Sequence, residues 1–340
     1  TIPEAFQSDL ITALTTALLS ENPPPCVLNA PTGSGKTVVN AKTIVRVSEQ
    51  HPTIWIWFVP YIYLVQQTES TIAADAPTLH PVRLEQGVNQ NPARSTIIIT
   101  TSAALAKGAS RKSSYTDGED DRKRSLAAFI LAARAQGLEI GVVIDEAHIG
   151  VESETEFGQL VRWLQPKRIL MATATPKDKK LNAFIAAAKY EAFQPFNVSR
   201  RDVVEARLNK RFIETVIYDL RESLKDIVDL QSMVLKQGWK RNQRLARVLA
   251  NVGLDITPLL LVQVGNGEGT IAAARDTLIK TCGVPPGAIG EHSSDAPDPV
   301  LMAQIANDST KQVLIFKQSA GTGFDAPRAF VLSSTKPVND

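Results

Sequence analysis

Cysteine, histidine and long apolar runs are all scarce in this sequence. Its 340 residues contain two cysteines, Cys26 and Cys282, and four scattered histidines, without the Cys/His spacing that is typical of a zinc site. Small apolar side chains in a reducing compartment explain the cysteines better than a disulfide does. The longest apolar runs, such as residues 140–144 and 258–264, are far too short to cross a bilayer, and no charged-then-apolar leader is present. We therefore expect a cytoplasmic protein with no structural metal and no membrane partner.

Net charge is also low. The formal charge is +2, which by itself does not argue for a nucleic-acid partner, because phosphate binding depends on where Lys and Arg are placed. One local cluster has helical spacing and would form one face of a helix: Lys236, Lys240, Arg244 and Arg247. Gly238 weakens the prediction of that helix. A solvated helix face and a nucleic-acid contact explain this cluster equally well.

The residues that are present point to phosphate chemistry. Residues 30–37 read Ala-Pro-Thr-Gly-Ser-Gly-Lys-Thr, and they lie between an apolar run at 26–28 and a stretch that can continue as a helix. In this context the glycines let successive backbone N–H groups turn toward one anion, Lys36 reaches the β- and γ-phosphates, and the Thr37 hydroxyl ligates Mg²⁺. The loop therefore predicts a site for a nucleoside triphosphate and Mg²⁺, formed by Thr32, Gly33, Ser34, Gly35, Lys36 and Thr37.

A second element that fits this chemistry follows the apolar run at 142–144. Asp145, Glu146 and His148 come directly after that run, and ligands of open α/β sheets collect at the carboxyl ends of such strands. An Asp there holds Mg²⁺, and an adjacent Glu orients and deprotonates an attacking water. The alternative, a solvated acidic turn, does not explain why the pair ends an apolar strand. The two elements together predict phosphoryl transfer to water.

Short β-branched runs alternate with helical stretches, which indicates parallel sheets covered by helices on both faces. In the first half of the chain the predicted strands are residues 27–29, 54–59, 96–100, 142–145 and 168–172. In the second half they are residues 212–218, 259–264, 288–291, 313–316 and 329–332. The predicted fold class is α/β with two parallel-sheet domains, at residues 1–180 and 181–340, and with a helical insertion at about 219–253 in the second domain.

Residues 145–148 spell a DEAH box, and together with the loop at 30–37 they resemble the motor of a superfamily-2 helicase or translocase. Gln7 resembles the adenine-reading glutamine that this family carries upstream of the loop. Further similar segments occur in the family's order, namely motif Ia at 59–67, Ib at 100–105, III at 171–176, IV at 258–264 and V at 316–329. The resemblance implies two RecA-like domains that bind ATP and Mg²⁺ between them.

The resemblance also implies roles for individual residues. The residues implied in catalysis are Lys36, Asp145, Glu146 and His148. Those implied to contact the nucleotide from the second domain are Gly323 and Asp325, and those implied to couple nucleotide state to domain movement are Thr173, Ala174 and Thr175. A nucleic-acid strand would be gripped through its phosphates by motifs Ia, Ib, IV and V, and the residues expected to contact it are Pro60, Tyr61, Gln66, Thr100, Thr101 and Lys317.

The family's motif VI lies beyond motif V and carries an arginine that stabilises transition-state charge, whereas this sequence stops at Asp340. Such an arginine contributes about 10³ to 10⁵ in rate. We therefore expect a piece of a longer protein, with a second RecA-like domain that is incomplete at its C-terminus and with slow ATP hydrolysis.

The residues of motif V narrow the resemblance to one subgroup of this superfamily. Lys317-Gln318, Gly323-Phe324-Asp325 and Pro327-Arg328 are closer to the restriction (Res) subunit of type III restriction enzymes and related defence helicases than to RNA-dependent DEAH helicases. The expected function is an ATP-dependent helicase or translocase that acts on DNA rather than RNA. Its expected partners are nucleic acid and other subunits of a restriction or antiviral defence complex. An RNA helicase and an ATP-gated nucleic-acid-binding scaffold without strand separation remain as alternatives.

Overall fold

The computed structural model describes residues 2–101, 104–105, 125–147, 154–174, 178–218, 229–292, 298–317 and 326–336. The chain divides into two compact units, the first at Thr1–Ile213 and the second at Glu214–Asp340. Each unit contains one parallel sheet with helices packed against it, so the predicted fold class of two α/β parallel-sheet domains is confirmed.

The sheet of the first unit has seven parallel strands among the described residues, in the order β3-β4-β2-β5-β6-β1-β7. The strands are β1 (Cys26–Asn29), β2 (Thr53–Val59), β3 (His80–Arg83), β4 (Thr96–Thr101), β5 (Glu139–Ile144), β6 (Arg168–Thr173) and β7 (Gln194–Asn197). The five interior strands agree with the prediction to within three residues at each end. The two edge strands were not predicted, because each is four residues long, largely exposed and interrupted by a proline, Pro81 or Pro195.

Helices cover both faces of this sheet. They are α1 (Ala5–Leu18), α2 (Lys36–Gln50), α3 (Ile62–Asp75), α4 (Leu84–Gly87), α5 (Leu126–Ala135), α6 (Glu154–Leu164), α7 (Asp178–Ala187) and α8 (Arg200–Glu205). Alternate residues of β2 enter different cores: Trp55 and Trp57 pack with α1, α2 and α3, whereas Ile56 and Phe58 pack with α5, α6 and α7. Burial on both faces explains why β2 is an uninterrupted apolar run rather than an alternating one.

The second unit contains a smaller parallel sheet, in the order β11-β8-β10-β9. Its strands are β8 (Leu259–Val264), β9 (Ile289–His292), β10 (Val313–Lys317) and β11 (Ala329–Ser334), and its helices are α9 (Leu230–Asn251), α10 (Thr270–Cys282) and α11 (Pro299–Asn307). These four strands lie within two residues of the predicted ones. The predicted strand at 212–218 is wrong, because that segment is exposed and has no regular structure. None of the helices in the described ranges of either unit has the length and apolar character needed to span a bilayer.

The boundary between the two units follows Ile213, later in the chain than the predicted boundary after residue 180. Residues 181–213 were expected in the second domain, but β7 pairs in parallel with β1, from Cys26 opposite Gln194 to Asn29 opposite Asn197. Of the helical insertion expected at about 219–253, residues 219–228 lie outside the described residues, and the remainder consists mainly of α9, a single helix of 22 residues.

Helix α9 contains Gly238, the residue that weakened the prediction of this helix from the sequence. Gly238 is buried, and a Cβ at this position would overlap the Oγ atom of Ser333 on β11. Nearby on the same helix, Asn242 Nδ2 donates a hydrogen bond to Pro258 O at 3.1 Å. The glycine therefore permits close packing of α9 on the sheet, which offsets its low helix propensity.

Arg328 connects several parts of the second unit through backbone carbonyls. Its guanidinium donates hydrogen bonds to the carbonyl oxygens of Ala306, Asp308, Thr257 and Lys311. Partial burial lowers the pKa of Arg328 from its ordinary value, and the charge of Asp308 acts in the opposite direction. Arg328 is thus a structural residue that ties the end of α11 to the segments entering β8 and β11.

The packing of β5 on β2 gives the first prediction. Gly141 lies opposite Trp55, and a Cβ at Gly141 would overlap the indole ring. We expect Gly141→Ala to lower the free energy of unfolding by about 1–3 kcal/mol, because overpacking forces the ring or the strand to move. The matched control is Gly287→Ala, where an added Cβ would meet open space. Equal urea midpoints for the two variants would contradict the prediction.

Candidate nucleotide site

The loop at residues 30–37 leaves β1 and enters α2, as the sequence predicted. Gly33 and Gly35 have φ values of 81° and 79°, in the left-handed region that favours glycine. Two backbone hydrogen bonds hold the loop: Ala30 N donates to Thr173 O at 3.0 Å, and Ser34 N donates to Pro31 O at 3.1 Å. The loop is therefore shaped by β1, by its neighbour β6 and by its own glycines.

The polar side chains of this loop lie against the acidic residues that follow β5. Lys36 Nζ lies 3.2 Å from Glu146 Oε1 and donates to Ala30 O at 3.4 Å. Thr37 Oγ1 donates to Asp145 Oδ2 at 3.3 Å. The structure thus brings together two adjacent pairs, Lys36 with Thr37 and Asp145 with Glu146, which are more than 100 positions apart in the chain.

The backbone places Glu146 in an uncommon conformation. Asp145 N donates to Phe58 O at 2.9 Å, which continues the β2–β5 pairing by one residue, and the chain then turns at Glu146 with a φ of 49°. Asp145 Oδ1 accepts a hydrogen bond from Glu146 N at 3.0 Å. A non-glycine residue at positive φ costs free energy, and such residues concentrate at functional sites. The turn directs Glu146 toward Lys36.

The electrostatics of Asp145 follow from its burial. Burial is the main cause that raises the pKa of Asp145 from 3.8 to about 6, and the charge of Glu146 raises it further. The charge of Lys36 and the hydrogen bonds from Glu146 N and Thr37 Oγ1 act in the opposite direction but are weaker. A buried carboxylate with too little positive charge around it is a favourable ligand for a cation.

The residues present fit a nucleoside triphosphate with Mg²⁺. Ser34 Oγ is buried and has no hydrogen-bond partner among the described residues, so it is available to a phosphate oxygen. The oxygens of Thr37 and Asp145 are adjacent, and Mg²⁺ is commonly held by one or two protein oxygens together with substrate phosphates. The left-handed glycines leave room for a phosphate beside the N-terminus of α2.

Gln7 contacts the loop directly. Its Nε2 donates to Ser34 O at 2.8 Å, and its Oε1 accepts from Glu4 N at 2.9 Å as part of a capping box at the start of α1. A Cβ at Gly35 would lie 2.5 Å from Gln7 Nε2, so the close approach of the amide requires a glycine there. The contact places Gln7 beside the candidate site. Its adenine-reading role remains a prediction.

A segment whose contact with the loop was not predicted from the sequence also supports the loop. We call residues 197–209 the strap. Asn29 Nδ2 donates to Asn197 Oδ1 at 3.1 Å, and Asn209 Nδ2 donates to Thr32 O at 3.1 Å. A Cβ at Gly33 would lie 3.2 Å from the carbonyl oxygen of Leu208. The strap therefore runs from the sheet edge back to the first half of the loop.

The sequence offers one local structural signal for the strap. Ser199 and Asp202 form a capping box at the start of α8, a pattern that can be read from the Ser-x-x-Asp spacing. That pattern predicts a short helix but gives no indication of its contact with the loop.

The residues of the first unit that are expected to grip nucleic acid lie at, or directly after, the same edge of the sheet as the loop. Pro60 and Tyr61 follow β2, and Thr100 and Thr101 end the neighbouring β4. The side chains of both threonines are buried, whereas Gln66 is exposed on α3. Their role in binding nucleic acid remains a prediction.

The predicted residues of motifs III and V are only partly described. Thr173 ends β6 beside the loop and Ala174 follows it, and in the second unit Lys317 ends β10. The remaining predicted site residues lie outside the described residues, namely His148, Thr175, Gly323 and Asp325.

Comparison with solved structures supports the same architecture. The helicase domain of Pyrococcus furiosus Hef aligns with a TM-score of 0.54 and 12% identity, covering 99% of this chain and 90% of that one. Saccharomyces cerevisiae Dbp5, solved with RNA and ADP BeF3, aligns with a TM-score of 0.57 and 16% identity, covering 97% of this chain and 74% of that one. No curated protein gives a significant match. The fold is that of tandem RecA-like helicase domains.

The sequence of the first unit identifies the family of this chain. Residues 2–178, just over half of the chain, match the family described as type III restriction enzyme, res subunit. The chain belongs to this family. Membership makes it an ATP-dependent helicase-like protein that acts with nucleic acid.

The raised pKa of Asp145 predicts how stability depends on pH. The folded chain holds a proton that the unfolded chain has released between about pH 4 and pH 6, so this contribution to stability is present at low pH and is lost as the pH rises toward 6. We expect Asp145→Asn to remove it. Thermal melting without metal or nucleotide should therefore show a smaller decline in Tm between pH 4.5 and pH 7 for the variant than for the parent. Parallel declines would contradict the prediction.

The strap gives a second prediction for this site. Asn209→Ala removes the donor to Thr32 O, a loss of about 1 kcal/mol, so we expect the Kd for an ATP analogue to rise about fivefold. The control is Asn89→Ala, which removes a comparable side-chain bond to Glu85 O near the opposite edge of the same sheet. Fluorescence titration measures both affinities. A similar Kd for the parent and both variants would exclude a positioning role for Asn209.

Proposed function

We propose that this chain is the motor of a DNA-directed, ATP-dependent translocase or helicase that works within a restriction or antiviral defence complex. The observation that carries the proposal is the joint placement of Lys36, Thr37, Asp145 and Glu146 around a loop shaped for phosphate. Membership of the type III res family and the residues of motif V support DNA and defence as the context.

The roles follow from the position of each group. The ammonium of Lys36 and the backbone N–H groups of the loop would bind the phosphates, and the oxygens of Thr37 and Asp145 would hold Mg²⁺. The bound ion supplies positive charge that offsets the charge on the phosphate oxygens. Glu146 is the general base that takes a proton from the attacking water.

The ion pair between Lys36 and Glu146 suggests how binding prepares hydrolysis. The Lys36 ammonium lies 3.2 Å from Glu146 Oε1. A γ-phosphate competes for the same ammonium, so Lys36 would transfer its contact from Glu146 to the phosphate. Glu146 would then lose its contact with Lys36 at the time when a substrate is present.

The coupling and nucleic-acid residues complete the proposal. Thr173, Ala174, Thr175 and His148 would transmit nucleotide state, because Thr173 O already accepts from the first residue of the loop. Pro60, Tyr61 and Gln66 are the more accessible of the expected nucleic-acid contacts of the first unit. Gly323, Asp325 and Lys317 would contribute from the second unit. An RNA helicase is the second candidate, since S. cerevisiae Dbp5 was solved with RNA.

The test is ATP hydrolysis by the parent and by Glu146→Gln, each with duplex DNA, single-stranded DNA, RNA or no nucleic acid. We expect stimulation by duplex DNA in the parent and a loss of about 10²- to 10⁴-fold in kcat in the variant, because the general base is removed. Glu191→Gln, an exposed residue of the same unit, is the matched control and should behave as the parent.

Two other outcomes would change the conclusion. Stronger stimulation by RNA than by DNA would favour the RNA helicase. Intact binding of ATP with no stimulated turnover would favour the ATP-gated scaffold, and in that case Glu146→Gln would leave the measured rate unaltered.

A further inference from the structure

Helix α9 has an unusual concentration of positive charge. Its 22 residues contain five cations and no Asp or Glu, whereas the whole chain has a net charge of only +2. The cations are Lys236, Lys240, Arg241, Arg244 and Arg247.

The helix is oriented so that the cations face solvent. Leu235, Gly238 and Asn242 are buried on the side that packs against β8 and β11. Four of the cations, Lys236, Lys240, Arg244 and Arg247, are exposed and recur at steps of three and four residues. They form one ridge that extends for about 16 Å along the helix. We call these four residues the α9 ridge.

No acidic group among the described residues forms an ion pair with the ridge. Arg241 is paired with Glu214, but the four ridge residues have no ion-pair partner in the described part of the chain. The acidic residues of the neighbouring elements are used elsewhere, since Asp276 pairs with Lys280 and Glu291 pairs with Arg275. Like charges one turn apart destabilise a helix, so this arrangement costs stability.

We infer that the α9 ridge binds the phosphate backbone of double-stranded DNA, an inference that rests on the proposed function. A 16 Å length of duplex carries about nine phosphate charges, enough to face every cation of the ridge. The straight row of cations on a regular helix is complementary to a duplex, which is itself straight over this distance. Because the contacts are to phosphates, binding is independent of base sequence.

The side chains around the ridge favour a duplex over a single strand. Proteins that bind single strands combine cations with exposed aromatic side chains on which bases stack. The one aromatic residue of α9, Trp239, instead packs against the core of the second unit. The helix itself therefore offers charge without an aromatic side chain on which bases could stack.

The test compares the chain with a variant in which all four ridge residues are replaced by glutamine, which removes the charge but has a similar helix propensity. Binding of a fluorescent DNA duplex is measured by anisotropy over a series of salt concentrations. We expect the slope of log K against log salt to become shallower by about 0.9 for each cation that contacts a phosphate, with an affinity loss of at least about tenfold at low salt.

The matched control removes four exposed cations from the first unit, by Arg162→Gln, Lys167→Gln, Lys179→Gln and Lys189→Gln. This control loses the same net charge as the ridge variant. Its slope of log K against log salt should nevertheless stay closer to that of the parent. A charge-retaining variant, in which Lys and Arg are exchanged at the four ridge positions, should bind as the parent does. Circular dichroism and thermal melting confirm that each variant is folded.

The outcomes separate this inference from the proposed function. If the parent binds the duplex but the ridge variant keeps its slope, the inference is overturned and an acidic protein becomes the better partner for the ridge, while the motor proposal stands. If the ridge variant loses as much affinity for single-stranded DNA as for the duplex, the inference that the ridge prefers a duplex is overturned. A parent that binds no nucleic acid at any salt concentration would overturn both.

Discussion

The first unit depends on the pairing of a strand only four residues long. Strand β1 is hydrogen-bonded in parallel to β6 on one side and to β7 on the other. This double pairing fixes where the phosphate loop begins, because Asn29 lies opposite Thr173 on one side and Asn197 on the other. A parallel sheet requires long crossover connections, so residues distant in sequence arrive together at its carboxyl edge. Motif III and the strap consequently meet the loop at the same place.

The few charged groups around the loop contact one another. One ammonium, that of Lys36, faces the paired acidic positions that follow β5, and burial makes the negative charge of Asp145 costly. Glu146 reaches Lys36 only because its backbone adopts a left-handed turn. The same groups contact one another and could exchange these contacts for contacts with a phosphate and a cation.

The sequence predicted those features that depend on local patterns. The interior strands were predicted because burial on both faces makes a segment such as β2 continuously apolar, and Lys36, Thr37, Asp145 and Glu146 were found because their motifs are local. The edge strands β3 and β7 have no such pattern. The contact of Asn209 with Thr32 could not be predicted either, because it joins residues 177 positions apart through a register that only the folded sheet defines. The role of Gly238 was also invisible, since its neighbour Ser333 belongs to another element.

The strap places a constraint on chain length that no nucleotide-binding motif reveals. Twelve steps of chain separate Asn197, fixed by the sheet, from Asn209, fixed by the loop, and the capped helix α8 occupies half of them. An inserted or deleted residue would shift one anchor relative to the other. Variation in length among relatives should therefore be rarer between these anchors than in other surface connections, even where the residue types between them differ freely.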